Sequence, residues 1–142
     1  MMKNFKLIDL TVHGDERGKL VALEKGVNCP FEIKRAFYIY ATDKSVKARG
    51  CHANKNSEFL FVALVGSCKV LVDDGNVRQE FVLDNPEMAL WTNKMTWKEM
   101  NNFSDGAVLL VLSSEKYDIN EYICDYDGFL SVVAPSVGGG MT

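Results

Sequence analysis

The sequence predicts an all-β fold, a sandwich or small barrel in a single domain. Three observations carry this. Strand-like runs are frequent and short, turn residues divide them, and helix signals are scarce. The runs are rich in Val, Leu, Phe, Tyr and Trp. In chain order they are Phe5 to Leu10, Leu20 to Leu23, Arg35 to Tyr40, Phe59 to Val65, Lys69 to Val72, Gln79 to Leu83, Met88 to Trp91, Thr96 to Met100 and Ala107 to Ser113. Gly66-Ser67 breaks the chain after the fourth run, and Asn85-Pro86 after the sixth. Between the fifth and sixth lies Asp73-Asp74-Gly75-Asn76, a hairpin turn in which Asp-Gly supplies the positive φ that such turns need. Many short strands at close spacing indicate two packed sheets or a closed barrel.

The 142 residues suffice for one core. No repeat, low-complexity linker or second domain interrupts them. The domain is placed at residues 1–133, with a more polar stretch from Tyr117 to Leu130 able to carry a short helix. The Gly-rich stretch 134–142 is expected to be a flexible tail. Apolar content of 47% and charged content of 25% are ordinary for a soluble globular protein. A net charge of −3 without a basic run argues against nucleic acid. No apolar stretch is long enough to span a membrane, and the first residues, Met1-Met2-Lys3-Asn4-Phe5-Lys6, lack the apolar core of a signal peptide. A cytoplasmic protein is expected. Cys29, Cys51, Cys68 and Cys124 form no C-x-x-C pair and read as free thiols.

The segment Arg49-Gly50-Cys51-His52-Ala53-Asn54-Lys55 carries the most chemistry, because it holds one of only two histidines. Histidine takes and gives protons near neutral pH. Cys51 and His52, adjacent on a strand, point to opposite faces, which works against a thiolate–imidazole pair. His52 and Asn54 share one face. A catalytic metal in a barrel wants two or three histidines and a carboxylate. Here the His-x-His position reads His52-Ala53-Asn54, and Asn is a weak neutral ligand, so no metal is expected. His13 lies in a polar loop. Lys98, within Trp97-Lys98-Glu99-Met100, is flanked by large apolar groups; withdrawal from water lowers a lysine pKa and lets it shuttle protons.

Three basic points, Arg17-Gly18, Lys34-Arg35 and Arg49-Gly50, adjoin strands. Arginine suits phosphate, and Gly permits close backbone approach. Neither a Walker loop nor G-x-G-x-x-G is present. With Phe37, Tyr38, Tyr40 and Trp91 interleaved, these positions suit a ligand carrying both phosphates and a flat base, such as a nucleotide sugar.

Taken in order, several landmarks resemble the small cupin sugar 3,4-ketoisomerases, which act on dTDP-4-keto-6-deoxyglucose. They are Asp15-Glu16-Arg17-Gly18, Pro30 to Tyr38, Arg49 to Lys55, Gly66-Ser67-Cys68-Lys69-Val70, Trp97-Lys98-Glu99-Met100 and Tyr117 to Ile123. The resemblance covers about residues 5 to 130. It implies a jelly-roll (double-stranded β-helix) barrel and a homodimer that works without metal or other cofactor. The reaction moves a carbonyl from C4 to C3 through an enediol. The product would feed a PLP-dependent aminotransferase making 3-amino sugars for surface polysaccharide such as O-antigen. His52 is then the expected base, with Lys98, Asn54 and Tyr38 completing the catalytic set; a base with pKa near 7 suits the task. Arg17, Arg35, Arg49 and Trp91 are the expected substrate-binding residues. Arg17-Gly18 resembles the subgroup whose product is galacto-configured at C4. The chain departs from the family pattern at Asn54 and Lys98, where histidines are usual, and at Phe59, where Gln is common. These departures leave two alternatives open: a nucleotide-sugar-binding cupin with impaired catalysis, or an isomerase or epimerase acting on a related keto sugar.

Overall fold

The computed structural model describes residues 4–42 and 48–133. Among these residues twelve strands follow one another: β1 (Phe5–Asp9), β2 (His13–Asp15), β3 (Gly18–Leu20), β4 (Arg35–Ile39), β5 (Arg49–Asn54), β6 (Phe59–Val65), β7 (Cys68–Asp73), β8 (Arg78–Leu83), β9 (Met88–Thr92), β10 (Trp97–Asn101), β11 (Val108–Ser113) and β12 (Tyr122–Ile123). A 3₁₀ turn (Ile119–Glu121) precedes β12, and one helix, α1 (Tyr126–Val133), follows it. One sheet has the order β1-β9-β6-β11-β4 and the other β12-β5-β10-β7-β8; β2 and β3 form a separate hairpin. The paired strands are antiparallel. The expected all-β cupin-like architecture is what the chain adopts. The expected tail, 134–142, lies outside the described residues.

Alternation along β6 explains why its sequence is almost wholly apolar. Phe59, Phe61 and Ala63 face the space between the sheets, with Val70, Val72, Leu90, Leu109 and Val111. Leu60 and Val62 face outward, into a second cluster with Leu10, Phe31, Ala89, Trp91 and Leu112. A strand buried on both faces needs apolar residues at every position. The outer cover consists of the chain between β3 and β4, which packs Val21, Leu23 and Ile33 onto that face. This corrects one expectation: Leu20 to Leu23 is not a strand. Only Leu20 ends β3, and the apolar residues after it serve as a lid on the first sheet.

The second sheet is covered by α1, whose Phe129 packs with Ala53 and Trp97. Asp73 ties this helix down, because its Oδ2 accepts from Tyr126 OH at 2.5 Å and Arg78 Nη1 at 2.9 Å. The turn between β7 and β8 falls at the expected residues. Gly75 has φ +91°, and a Cβ there would sit 2.3 Å from a Val133 methyl carbon. Both the backbone conformation and the approach of α1 require glycine.

The β signal of β5 is weak. Gly50 (φ +83°) and Cys51 (φ +53°) both take left-handed backbone, and the register against β10 shifts between Lys98 and Glu99. Such a bulge re-aims side chains. After it the alternation is regular: Cys51 and Ala53 pack towards α1, while His52 and Asn54 lie on the opposite face.

Candidate active site

A cavity of about 380 Å³ opens between the sheets. Its lining brings together Arg35, Tyr38 and Tyr40 from β4 and the residues after it, Arg49 and His52 from β5, Lys98 from β10, and Tyr122 from β12. Phe37, Phe59, Phe61 and Val111 supply apolar wall. His52 and Lys98 are direct partners across the β5–β10 ladder. The bulge next to that pair, with Gly50 lying close against Met100 Cε and the Lys98 carbonyl, lets the two strands come together there.

His52 Nδ1 lies 2.8 Å from the Gly50 carbonyl oxygen. In a neutral imidazole only an N–H can donate to a carbonyl, so Nδ1 carries the hydrogen and Nε2 keeps its lone pair. The ring packs against Tyr122, with centroids 4.7 Å apart. Burial first, and then the Lys98 charge, push the His52 pKa down to about 4; the Gly50 bond and the Glu121 charge oppose this. His52 is therefore a neutral acceptor at physiological pH.

Lys98 is 1% exposed. Its Nζ donates to the Thr96 carbonyl at 2.9 Å and to Asn54 Oδ1 at 3.4 Å, and it lies 4.7 Å from the centre of the Phe59 ring. Burial brings its pKa down to about 7, against the raising effect of Glu121. The pKa near neutrality expected of His52 belongs to Lys98 instead, because Lys98 is the more deeply enclosed of the two and the histidine feels its charge.

The structure places the other expected residues less uniformly. Tyr38, Arg35 and Arg49 line the cavity. Arg35 lies over the rings of Phe37 and Tyr117, at 4.5 and 5.2 Å. Asn54 is on the expected strand face but is absent from the cavity lining. It is wholly buried and holds the Lys98 ammonium, and its Nδ2 has no hydrogen-bond partner among the described residues. Trp91 belongs to the outer cluster, where its Nε1 donates to Glu58 Oε1 at 3.0 Å. Arg17 sits on the exposed β2–β3 hairpin and pairs with Asp15 at 2.6 Å. The single chain therefore brings neither Trp91 nor Arg17 to the cavity. Tyr122 of the cavity lining, and Glu121 just before it, are not singled out by the sequence reading. Their signal was the Tyr117 to Ile123 landmark itself, which β12 pairing carries alongside β5. No three His, Cys, Asp or Glu side chains converge as a metal site among the described residues.

Two antiparallel sheets enclosing His52 and Lys98 in one cavity define a small cupin-like domain. Residues 3–134 match the family described as FdtA (WxcM-like, C-terminal), and the chain belongs to that family. A TDP-4-oxo-6-deoxy-α-D-glucose 3,4-oxoisomerase from Aneurinibacillus thermoaerophilus is 45% identical over 129 residues, covering 91% of this chain and 92% of the relative. Among solved structures, the chain is similar to two enzymes of Campylobacter jejuni. A TDP-quinovose 3,4-ketoisomerase superposes with a TM-score of 0.87 at 45% identity, covering 92% of this chain and 99% of the other. A TDP-fucose 3,4-ketoisomerase superposes with a TM-score of 0.85 at 44% identity, covering 92% and 96%.

Proposed function

We propose that the chain is a 3,4-ketoisomerase of TDP-4-keto-6-deoxyglucose, working by proton transfer through an enediol. The observation that carries this reading is the pairing of His52 with Lys98 in one cavity. A base with a free lone pair stands across a strand ladder from a buried cation. The cavity volume suits the sugar ring, and Arg35 and Arg49, with exposed Tyr38 and Tyr40, offer cations and aromatic faces for the diphosphate and thymine.

In this mechanism His52 Nε2 removes the proton on C3. The C–H electrons form the C3–C4 double bond, and O4 takes up the negative charge. The charge of Lys98 steadies that enediolate, in a site with little water to screen it. A proton then settles on O4, C4 receives a proton, and loss of the O3 proton leaves the carbonyl at C3. Tyr38 is proposed to hydrogen-bond the reacting oxygens. Asn54 acts through Lys98 by holding its ammonium. Arg17 and Trp91 are assigned no contact within one chain.

The two Campylobacter relatives have names that differ in the configuration of the sugar at C4, and they are nearly equally similar to this chain. The Arg17-Gly18 pair supports the galacto product. A homodimer is proposed because β4 is a sheet edge that exposes Tyr38; unpaired edges recruit partners. Light scattering should give twice the 15.9 kDa chain mass. The 3-keto product is suited to a PLP-dependent aminotransferase, in cytoplasmic synthesis of amino sugars for surface polysaccharide such as O-antigen.

The test is to incubate the protein with TDP-4-keto-6-deoxyglucose in deuterated buffer, with an aminotransferase to trap product, and to follow the sugar by NMR. A 3-keto or 3-amino sugar with deuterium at C4 is expected. Tight TDP binding without any C3 exchange would overturn the reading.

A further inference from the structure

Glu121 is a buried carboxylate that the proposed mechanism does not use. It is 4% exposed and closes the 3₁₀ turn just before β12. Its Oε1 accepts the backbone N–H groups of Asn56 at 2.9 Å and Ser57 at 3.0 Å, and its Oε2 accepts from the Ser57 hydroxyl. Its own carbonyl accepts the Lys55 N–H at 2.9 Å. One residue therefore receives four hydrogen bonds from the three positions that follow Asn54. Directly beyond it, Tyr122 pairs with Asn54 and Ile123 with Ala53.

This is more than a loop anchor needs. A backbone carbonyl or a neutral amide could accept the same N–H bonds without bringing a full charge into the interior, and burying a charge is costly unless something uses it. The cation of the site is Lys98, whose ammonium is held by Asn54, the last residue of the strand that Glu121 fixes.

We propose that Glu121 is a positioning residue of the isomerase site: it pins the end of β5 that carries His52 and Asn54, which keeps Asn54 against the Lys98 ammonium and His52 opposite it. This rests on the ketoisomerase reading. The direction of the electrostatics agrees, since Glu121 raises the pKa of both Lys98 and His52. The other charged or titratable groups that line the cavity with Lys98 are His52 and Arg49 on β5, Arg35, Tyr38 and Tyr40 on and after β4, and Tyr122 on β12; Glu99 follows Lys98 on β10, where its Oε2 accepts from Trp97 Nε1 at 2.8 Å. None of the lining groups is a carboxylate, so among the described residues the cavity wall offers no acidic substitute for Glu121.

The experiment compares wild type with Glu121→Gln, which keeps an acceptor and the shape but loses the charge, and with Ser57→Ala, which removes one bond to the carboxylate and keeps its charge. Two readouts are taken. The first is titration of the Lys98 side chain by NMR in the free protein, which needs no substrate. The second is the pH profile of C3 exchange. Wild-type Lys98 should titrate at about 7. In Glu121→Gln the titration and the alkaline limb of the profile should both move to lower pH, by on the order of one unit. Ser57→Ala should leave both nearly in place. A Glu121→Gln protein that folds, shows an unmoved Lys98 titration and loses only stability would overturn the proposal. No exchange by wild type, with the Lys98 titration still shifted by Glu121→Gln, would overturn the ketoisomerase reading while leaving the electrostatic role intact.

Discussion

His52 and Lys98 are neighbours across the β5–β10 ladder, and only one of them is charged near neutral pH. Burial lowers the tendency of both to hold a proton, and the Lys98 charge lowers that of His52 further. At pH 7 the pair therefore divides the labour: a neutral imidazole and a partly protonated amine. His52→Gln should lower kcat by about 10²–10⁴-fold, the usual worth of a positioned base, with a smaller effect on TDP affinity measured by calorimetry. With His52 neutral above about 4 and Lys98 charged below about 7, exchange activity should rise through the first value and fall through the second. In Lys98→Met the alkaline limb should disappear along with most of the rate. His52 and its strand face were readable from the sequence, as were the large apolar neighbours of Lys98, but not the complete burial of that lysine. Which of the two carries the near-neutral pKa was not, because that depends on how deeply each is enclosed.

At the scale of elements, the site depends on an irregular strand. The β5 sequence has a glycine, two polar residues and an arginine among six positions, and nothing in its propensity marks it as central. It is held as a strand by β10 on one side and β12 on the other. Gly50→Ala should cost about 1–2 kcal/mol, since φ is +83° and the new Cβ would lie 3.2 Å from the Lys98 carbonyl oxygen. Its larger effect should be on kcat, because the displaced strand carries His52; urea denaturation and steady-state rates separate the two. Phe129 is a different case. It is fully buried between α1 and the second sheet, against Trp97. Phe129→Ala should cost about 3–5 kcal/mol by urea denaturation, with the active fraction keeping a near-normal KM. The polar character of the Tyr117 to Leu130 stretch permitted a helix in the sequence, and α1 falls at its end and runs three residues past it.

For the whole molecule, the buried lysine sets a dependence of stability on pH. Lys98 has an unfolded pKa near 10.5 and a folded one of about 7. Between those values the unfolded chain binds the extra proton, so this group lowers stability as pH falls from about 10.5 to about 7 and adds no further loss below that. His52 continues the trend at lower pH, from 6.5 down to about 4. Lys98→Met should therefore be more stable than wild type at pH 7, by a few kcal/mol at most, and the difference should shrink towards pH 10 when Tm is measured across that range. Stability gained as activity is lost marks a charge kept for chemistry.

The sequence by itself determined the strand class of this protein and, through its ordered landmarks, the family it resembles. The first follows from local propensity and turn chemistry, which the chain carries at each position, and the second from the resemblance of those landmarks. The tertiary structure decided the rest. It put Lys98 opposite His52, set Asn54 under the lysine, kept Trp91 and Arg17 out of the cavity, and brought Glu121 from the far end of the chain to the end of β5. Charges respond to distance and to the water around them, and folding alone sets both.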